Sequence, residues 1–328
     1  MQKIILLVIG LFLISSPIFS QNIRSYDGSQ NNLQNPQWGA THTPLQRLTT
    51  IAYADGYDSP GGMSRPNPRT ISNALFAQDS LINDPLNLSD FVWVFGQFLD
   101  HDISLTGNGS ELAMVPVPAG DPWFDPFGQG TALIFMSRSL PILGTGTDIN
   151  NPRQHANEIT TWLDASNVYG SDLTRANWLR TFQDGKMRVS TNNLLPFNTF
   201  TSNYTDPVDP NAPLMDDAVQ NSNYHFVAGD PRANENPLLA AFHTLFVREH
   251  NRLCDEIIAD NPTWTDEQIY QHARKIVGGL IQNVVYSEWL PAMGVELPTY
   301  SGYDSSINGS ISNVFSAAAF RMLSLIHI

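Results

Sequence analysis

The chain has 328 residues, 42% of them hydrophobic, and carries 17 Lys+Arg against 31 Asp+Glu for a formal charge of −14. That length and apolar content can bury a large core, in one large domain or two ordinary ones. The charge excludes a nucleic-acid partner or an anionic membrane surface, because no Lys/Arg cluster is present to meet phosphates, and it fits cation binding instead.

At the N-terminus Lys3 precedes an apolar run from Ile4 to Ile14, and Ser15-Ser16-Pro17-Ile18-Phe19-Ser20 supplies a break and a small residue before Gln21. Residues 1–20 therefore read as a secretory signal peptide cleaved near Ser20, and the mature protein is expected to be secreted or periplasmic. The run is too short for a comfortable membrane crossing, and no other stretch could span a bilayer. The single cysteine, Cys254, forbids an internal disulfide, so stability must come from the core and from bound ligands. Its own expected role is that of a small buried apolar residue.

From Gln21 to Asn73 the chain is rich in Asn, Pro and Gly and reads as an extended arm, pinned by Tyr26, Trp38 and Tyr53. Ser89 is the expected N-cap of a helix that carries His101. Thr106 to Ile149 is a Gly/Pro-rich excursion, and a short helical unit follows near Leu173–Thr181. Asn236-Pro237 then opens a long core-facing helix, with Leu238, Ala241, Phe242, Leu245, Phe246, Leu253 and Ile257 at three- and four-residue intervals. Thr265 and Gln268 form a capping box for another helix, whose apolar stripe runs from Ile269 to Val284 and which is expected to stop by Pro291. Few segments alternate and there is no internal repeat, so the expected class is mainly α, with long loops and little β.

The chemistry concentrates at Asp100-His101-Asp102, inside the apolar segment Trp93–Asp102. Successive helical side chains point about 100° apart, which sends the two acids to nearly opposite faces with the imidazole between them. A buried carboxylate needs a cation, a covalent bond or a metal, and this chain is poor in cations. Gln97 lies one turn before His101 and shares its face. In Thr160-Thr161-Trp162-Leu163-Asp164-Ala165-Ser166, oxygen-bearing groups at every second residue suit a loop wrapping a hard cation, calcium best. With Asp102, the groups of Thr160, Trp162, Asp164 and Ser166 could complete an oxygen cage. Arg232 and Glu235, just ahead of the long helix, sit on a rigid element, and a permanently charged Arg suits a developing oxyanion.

These motifs resemble the animal-type haem peroxidase family, the group that includes myeloperoxidase, lactoperoxidase and peroxidasin, in a secreted version of bacterial style. The resemblance runs from about Arg24 to Met322. It is carried by Phe95–Asp102, by Thr160–Ser171, by Ala228-Gly229-Asp230-Pro231-Arg232 through Glu235, and by His243-Thr244-Leu245 with Arg248-Glu249-His250-Asn251-Arg252. It implies a helical domain around a buried haem b, with His101 as the distal base for hydrogen peroxide, Arg232 stabilising the charge that develops as the O–O bond breaks, and Gln97 lining the pocket where a halide or small donor approaches. It also implies ester links from Asp100 and Glu235 to haem methyl groups, and calcium held by Asp102, Thr160, Trp162, Asp164 and Ser166. Asn236 stands where some members carry a methionine, so no sulfonium link is expected, and bromide, iodide, thiocyanate or organic donors are expected ahead of chloride. His243 and His250, seven apart on one helix face, are structural in the family.

Asn313–Met322 is similar to the family's approach to its proximal histidine, but Leu323-Ser324 stand in place of the expected Gly-His pair. Leu323–Ile328 has the sequence that a transposon-end adapter of shotgun libraries would encode, so these six residues are expected to be adapter read-through. The native sequence is therefore expected to stop being represented at Met322, leaving 21–322 as the distal part of a haem peroxidase domain, with no proximal iron ligand and little activity in this piece. Two other readings stay open. One is a fatty-acid dioxygenase or cyclooxygenase-like enzyme, which would need a catalytic tyrosine in the proximal half. The other is a calcium-stabilised extracellular protein without catalysis, against which the joint presence of Gln97, His101 and Arg232 argues.

Overall fold

Three helices build the wall on which the candidate residues sit, and their sequences explain why they meet. In this computed structural model, which describes residues 23–61, 65–216 and 222–323, the helix Phe91–Ile103 buries Val94, Phe95, Phe98 and Leu99. Ser89 assists its start, its hydroxyl accepting from the Phe91 N–H at 3.3 Å, although Asp90 occupies the boundary position. The helix Pro237–Asp260 begins where expected: Asn236 accepts from the Leu239 N–H at 2.8 Å, and Pro237 at the first turn lacks a donor that would have been orphaned anyway. The two pack through aromatic rings. Phe98 stacks on Phe246 at 5.1 Å, and Phe95 meets Phe242 edge-on at 5.8 Å.

The third helix, Asp266–Val284, has the full capping box from Thr265 and Gln268 and buries Ile269, Tyr270, Ala273, Val277 and Ile281. Its end departs from expectation. The helical path passes through a π turn, Val285–Trp289, and reaches Ala292 beyond Pro291. A proline clashes with the carbonyl four residues back, and the wider π turn takes that carbonyl out of the usual register. Trp289, on the π turn, donates its indole N–H to the Val92 carbonyl at 2.8 Å and so ties this end to the helix of His101.

The N-terminal arm is pinned as its aromatics suggest: Arg274 lies over the Tyr26 ring at 4.2 Å, and the Tyr53 hydroxyl donates to the Arg153 carbonyl. The arm is not extended to Asn73, however. Pro68–Phe76 is a helix, capped by Asn67, whose side chain accepts from the N–H groups of Arg69 and Thr70. The Asn-Pro start signal is the same one that opens the long helix. The strands among the described residues form three two-stranded antiparallel sheets, two of them hairpin pairs within the 106–149 excursion. The fold is mainly α. The expected short helical unit spans Leu173–Trp178. Cys254 is fully buried, its thiol donates to the Gly185 carbonyl, and burial pushes that thiol up to about 12. No helix among the described residues is long and apolar enough to cross a membrane. Residues 1–20 and 324–328, which carry the signal-peptide reading and most of the adapter reading, lie outside the described residues.

Candidate active site and cation loop

Gln97, Asp100, His101, Arg232 and Glu235 line one cleft of about 100 Å³, closed on another side by Phe320 and Arg321. The helix Phe91–Ile103 supplies the first three residues, and the turn before the long helix supplies the next two. Chain separation of more than a hundred residues is bridged by the aromatic packing between those helices. His101 and Arg232 are both buried.

Arg232 is held by a neighbour that carries no role in the sequence reading. Both oxygens of Asp230 accept from its guanidinium, Oδ1 from Nε at 2.9 Å and Oδ2 from Nη2 at 2.8 Å. Burial works to raise the Asp230 carboxyl, but the charges of Arg232 and His101 and the hydrogen bonds outweigh it and hold the group well below the usual carboxylate range. Burial, with Arg232 nearby, drives the His101 imidazole well below its ordinary value, so it is neutral at pH 7. A neutral imidazole beside a fixed guanidinium can accept a proton from a bound acid while the cation steadies the charge left behind.

Although cations are few in this chain, two of them meet the buried acid of the cleft. Asp100 lies 3.6 Å from Arg232 and 3.2 Å from Arg321. Burial raises its pKa, and the two guanidiniums oppose the rise. Arg321 was invisible to the sequence reading because it lies 221 positions away, and only folding brings it to Asp100. Glu235 stands at the rim, 42% exposed. The Gln97 amide donates to it at 2.5 Å, while the Asn236 amide donates to the Gln97 carbonyl oxygen at 2.9 Å. Asn236 thus caps the long helix with one atom and orients Gln97 with another.

Asp102 points away from the cleft into the Thr160–Ser166 loop. The Ser166 hydroxyl donates to it at 3.0 Å, and the Ala165 N–H at 3.2 Å. Asp164 accepts from the Thr160 hydroxyl at 3.1 Å, and its N–H donates to the Trp162 carbonyl. Asp102 and Asp164 are both buried, and burial raises both carboxyls; the charge of Asp164 adds to the rise at Asp102, whereas the guanidiniums of Arg274 and Arg24 oppose the rise at Asp164. Ala165 adopts a left-handed conformation, φ 65°, which costs an L-residue about 1–2 kcal/mol. Such strain persists where surroundings enforce it, and here it turns the flanking Asp164 and Ser166 towards Asp102.

Gly229 joins the two regions. A Cβ there would lie 2.5 Å from the Ser166 carbonyl oxygen and 2.5 Å from the Val168 carbonyl carbon, so only glycine lets the Asp230–Arg232 segment press against the loop. The two candidate structural histidines on the long helix are both fully buried. His250 bonds to the Tyr169 hydroxyl and the Gly185 carbonyl, each at 2.9 Å, and His243 packs edge-on against Phe98. Neither lines the cleft.

Residues 23–327 match the family described as Animal haem peroxidase. The chain is 34% identical to the mouse protein named Peroxidasin homolog, covering 94% of this chain and 23% of that one, and 33% identical to dog Thyroid peroxidase, covering 92% and 36%. It therefore spans between about a fifth and about a third of those relatives' lengths. Among solved structures it resembles Peroxidase A from Dictyostelium discoideum, with a TM-score of 0.79, 30% identity, and coverage of 93% of this chain and 60% of the other. A fatty acid alpha-dioxygenase from Arabidopsis thaliana shares the fold alone, at TM-score 0.63, 19% identity, and coverage of 82% of this chain and 37% of that one. Taken with the cleft and the loop, these matches place this chain in the animal haem peroxidase family.

Proposed function

We propose that residues 21–322 are the distal part of a secreted haem peroxidase that reduces hydrogen peroxide and oxidises a halide, a pseudohalide or an organic donor. The observation that carries this reading is the meeting of a neutral imidazole, a clamped guanidinium and an amide, His101, Arg232 and Gln97, in one cleft bordered by two carboxylates. Those groups fit a haem. Asp100 and Glu235 would be the carboxylates that hold its periphery. When bound, the haem supplies the redox chemistry. The protein residues supply the rest: His101 accepts a proton from the peroxide oxygen and returns it to the departing oxygen, and Arg232 steadies the negative charge that builds between those events. Gln97, held by Asn236 and Glu235, presents its amide to a donor. With Asn236 in the next position, no thioether is available for a sulfonium link, which favours bromide, iodide, thiocyanate and organic donors over chloride.

The same reading gives Asp102, Thr160, Trp162, Asp164 and Ser166 to a calcium ion. Two buried carboxylates with raised pKa, framed by hydroxyl and carbonyl oxygens, form the donor set that a hard divalent cation prefers. Ester links from Asp100 and Glu235 belong to the proposal, and so does secretion through the leader at 1–20.

The test is expression of the complete protein with haem and calcium. A Soret band and peroxide-dependent oxidation of bromide or an aromatic donor are expected. Failure to take up any porphyrin, or normal peroxide turnover with His101 and Arg232 both replaced, overturns the reading.

A further inference from the structure

Asp230 is fully buried and touches both reactive groups of the cleft. Its Oδ1 accepts from the backbone N–H of Arg232 as well as from Nε, both at 2.9 Å, while Oδ2 accepts from Nη2. The same Oδ1 lies 3.6 Å from Nδ1 of His101, a buried ring atom with no hydrogen-bond partner. That separation is long for a hydrogen bond, and such contacts commonly tighten when a site fills. On the other edge of the ring, Nε2 faces Glu235 across the cleft at 4.0 Å. A carboxylate can only accept, and Asp230 is the nearer and the buried one of the two, whereas Glu235 is 42% exposed, so Nδ1 is the ring nitrogen stabilised by carrying the hydrogen. Gly229, pressed on the Ser166–Val168 backbone, leaves the Asp230 main chain no room to drift.

We propose that Asp230 is the positioning residue of this cleft: one carboxylate fixes the plane of the Arg232 guanidinium and holds His101 in the Nδ1–H tautomer, leaving Nε2 bare towards the bound reactant. Its consequence for rate rests on the peroxidase reading above, whereas its geometry does not. A base oriented by a buried carboxylate on its far nitrogen is a general catalytic arrangement. A carboxylate present only to neutralise Arg232 would have no effect on the tautomer, and Asp100 already offers that guanidinium a second counter-charge at 3.6 Å.

The experiment is ¹⁵N-histidine NMR on the complete protein without haem, with a His101→Gln sample to assign the signal, alongside peroxide kinetics of the haem-loaded protein. The wild type is expected to show His101 protonated on Nδ1. In Asp230→Asn the amide can donate to that nitrogen, so the Nε2–H form becomes the major one, and kcat/KM for peroxide falls by about 10²–10⁴, the usual contribution of a general base. An Nε2–H ring in the wild type, a tautomer that Asp230→Asn leaves unmoved, or a peroxide rate within twofold of wild type in that variant overturns the proposal. If Asp230→Asn does not fold, the wild-type tautomer decides alone. If the wild type binds no haem, the peroxidase reading fails, while the NMR result still judges Asp230.

Discussion

Asp100 and Asp102 are two residues apart on one helix, yet they enter opposite electrostatic worlds. On the cleft side, Asp100 and Asp230 share guanidiniums from Arg232 and Arg321, so negative charge is answered by fixed positive charge. On the loop side, Asp102 meets Asp164, and the groups that hydrogen-bond to them are hydroxyls and amides, with the guanidiniums of Arg274 and Arg24 acting on Asp164 through their charge alone. Side chains of one helix diverge by about 100° per residue, so a step of two carries a carboxylate from a region complete in charge to a region short of it. The cleft can hold its shape from protein groups alone. The loop is where we propose that an ion binds.

The largest effect expected from breaking one side only comes from His101→Ala. Stopped-flow mixing of the complete haem protein with peroxide should show a rate loss of about 10²–10⁴, while the calcium affinity of the loop stays within a fewfold of wild type. A matching loss of calcium would show that the two sides are not separate.

Removing calcium tests the other side. Chelation should lower stability by about 2.7 kcal/mol relative to protein at a hundredfold excess over the dissociation constant, read by thermal or urea unfolding. The sign with pH is specific. The folded-state pKa values of Asp102 and Asp164 are raised without a cation, so their contribution to the chelated protein's stability is fully present below the ordinary carboxylate range and is lost as pH rises through the raised values towards neutrality. With calcium bound the carboxylates are already ionised, and that slope should vanish. Because buried His243 and His250, lowered to about 4, pull the other way in both forms, the reading is the difference: a calcium-loaded minus chelated stability gap that does not widen from pH 4 to 7 would contradict the reading of the loop.

Gly229→Ala attacks the seam between the regions. Its Cβ would force backbone apart, with a cost of about 1–3 kcal/mol for overpacking, and should weaken both calcium binding and peroxide reactivity. The smallest effect is predicted for Asn236→Ala. Loss of the cap should cost about 1 kcal/mol in unfolding experiments, and the freed Gln97 amide should alter KM for the donor more than the peroxide rate.

Some features were legible because they are written in adjacent residues. Asn236-Pro237 and Thr265…Gln268 mark helix starts through backbone N–H groups that any helix leaves unpaired, and the structure places both caps as read. The same signal stands at Asn67-Pro68 inside a stretch rich in Asn, Pro and Gly, whose composition masks the helix Pro68–Phe76. The grouping of Gln97 with His101 follows from a single turn of helix. Asp230 stands in plain view two residues before Arg232, but its double grip depends on the conformation of that turn. Arg321 as a partner of Asp100 could not be inferred from any local pattern.

Although Leu238 and Leu245, read as facing the core on the longer helix, are exposed, the sequence by itself determined where the two long helices begin and that acids of opposite direction flank one imidazole. Those properties follow from covalent spacing and from hydrogen bonds that close within a few residues. Tertiary structure alone decided which guanidinium answers which carboxylate, that Asp164 faces Asp102, and that Asp230 stands behind His101. Such pairings join segments as much as 221 positions apart, and they are set by how aromatic faces and a single glycine let the backbones approach.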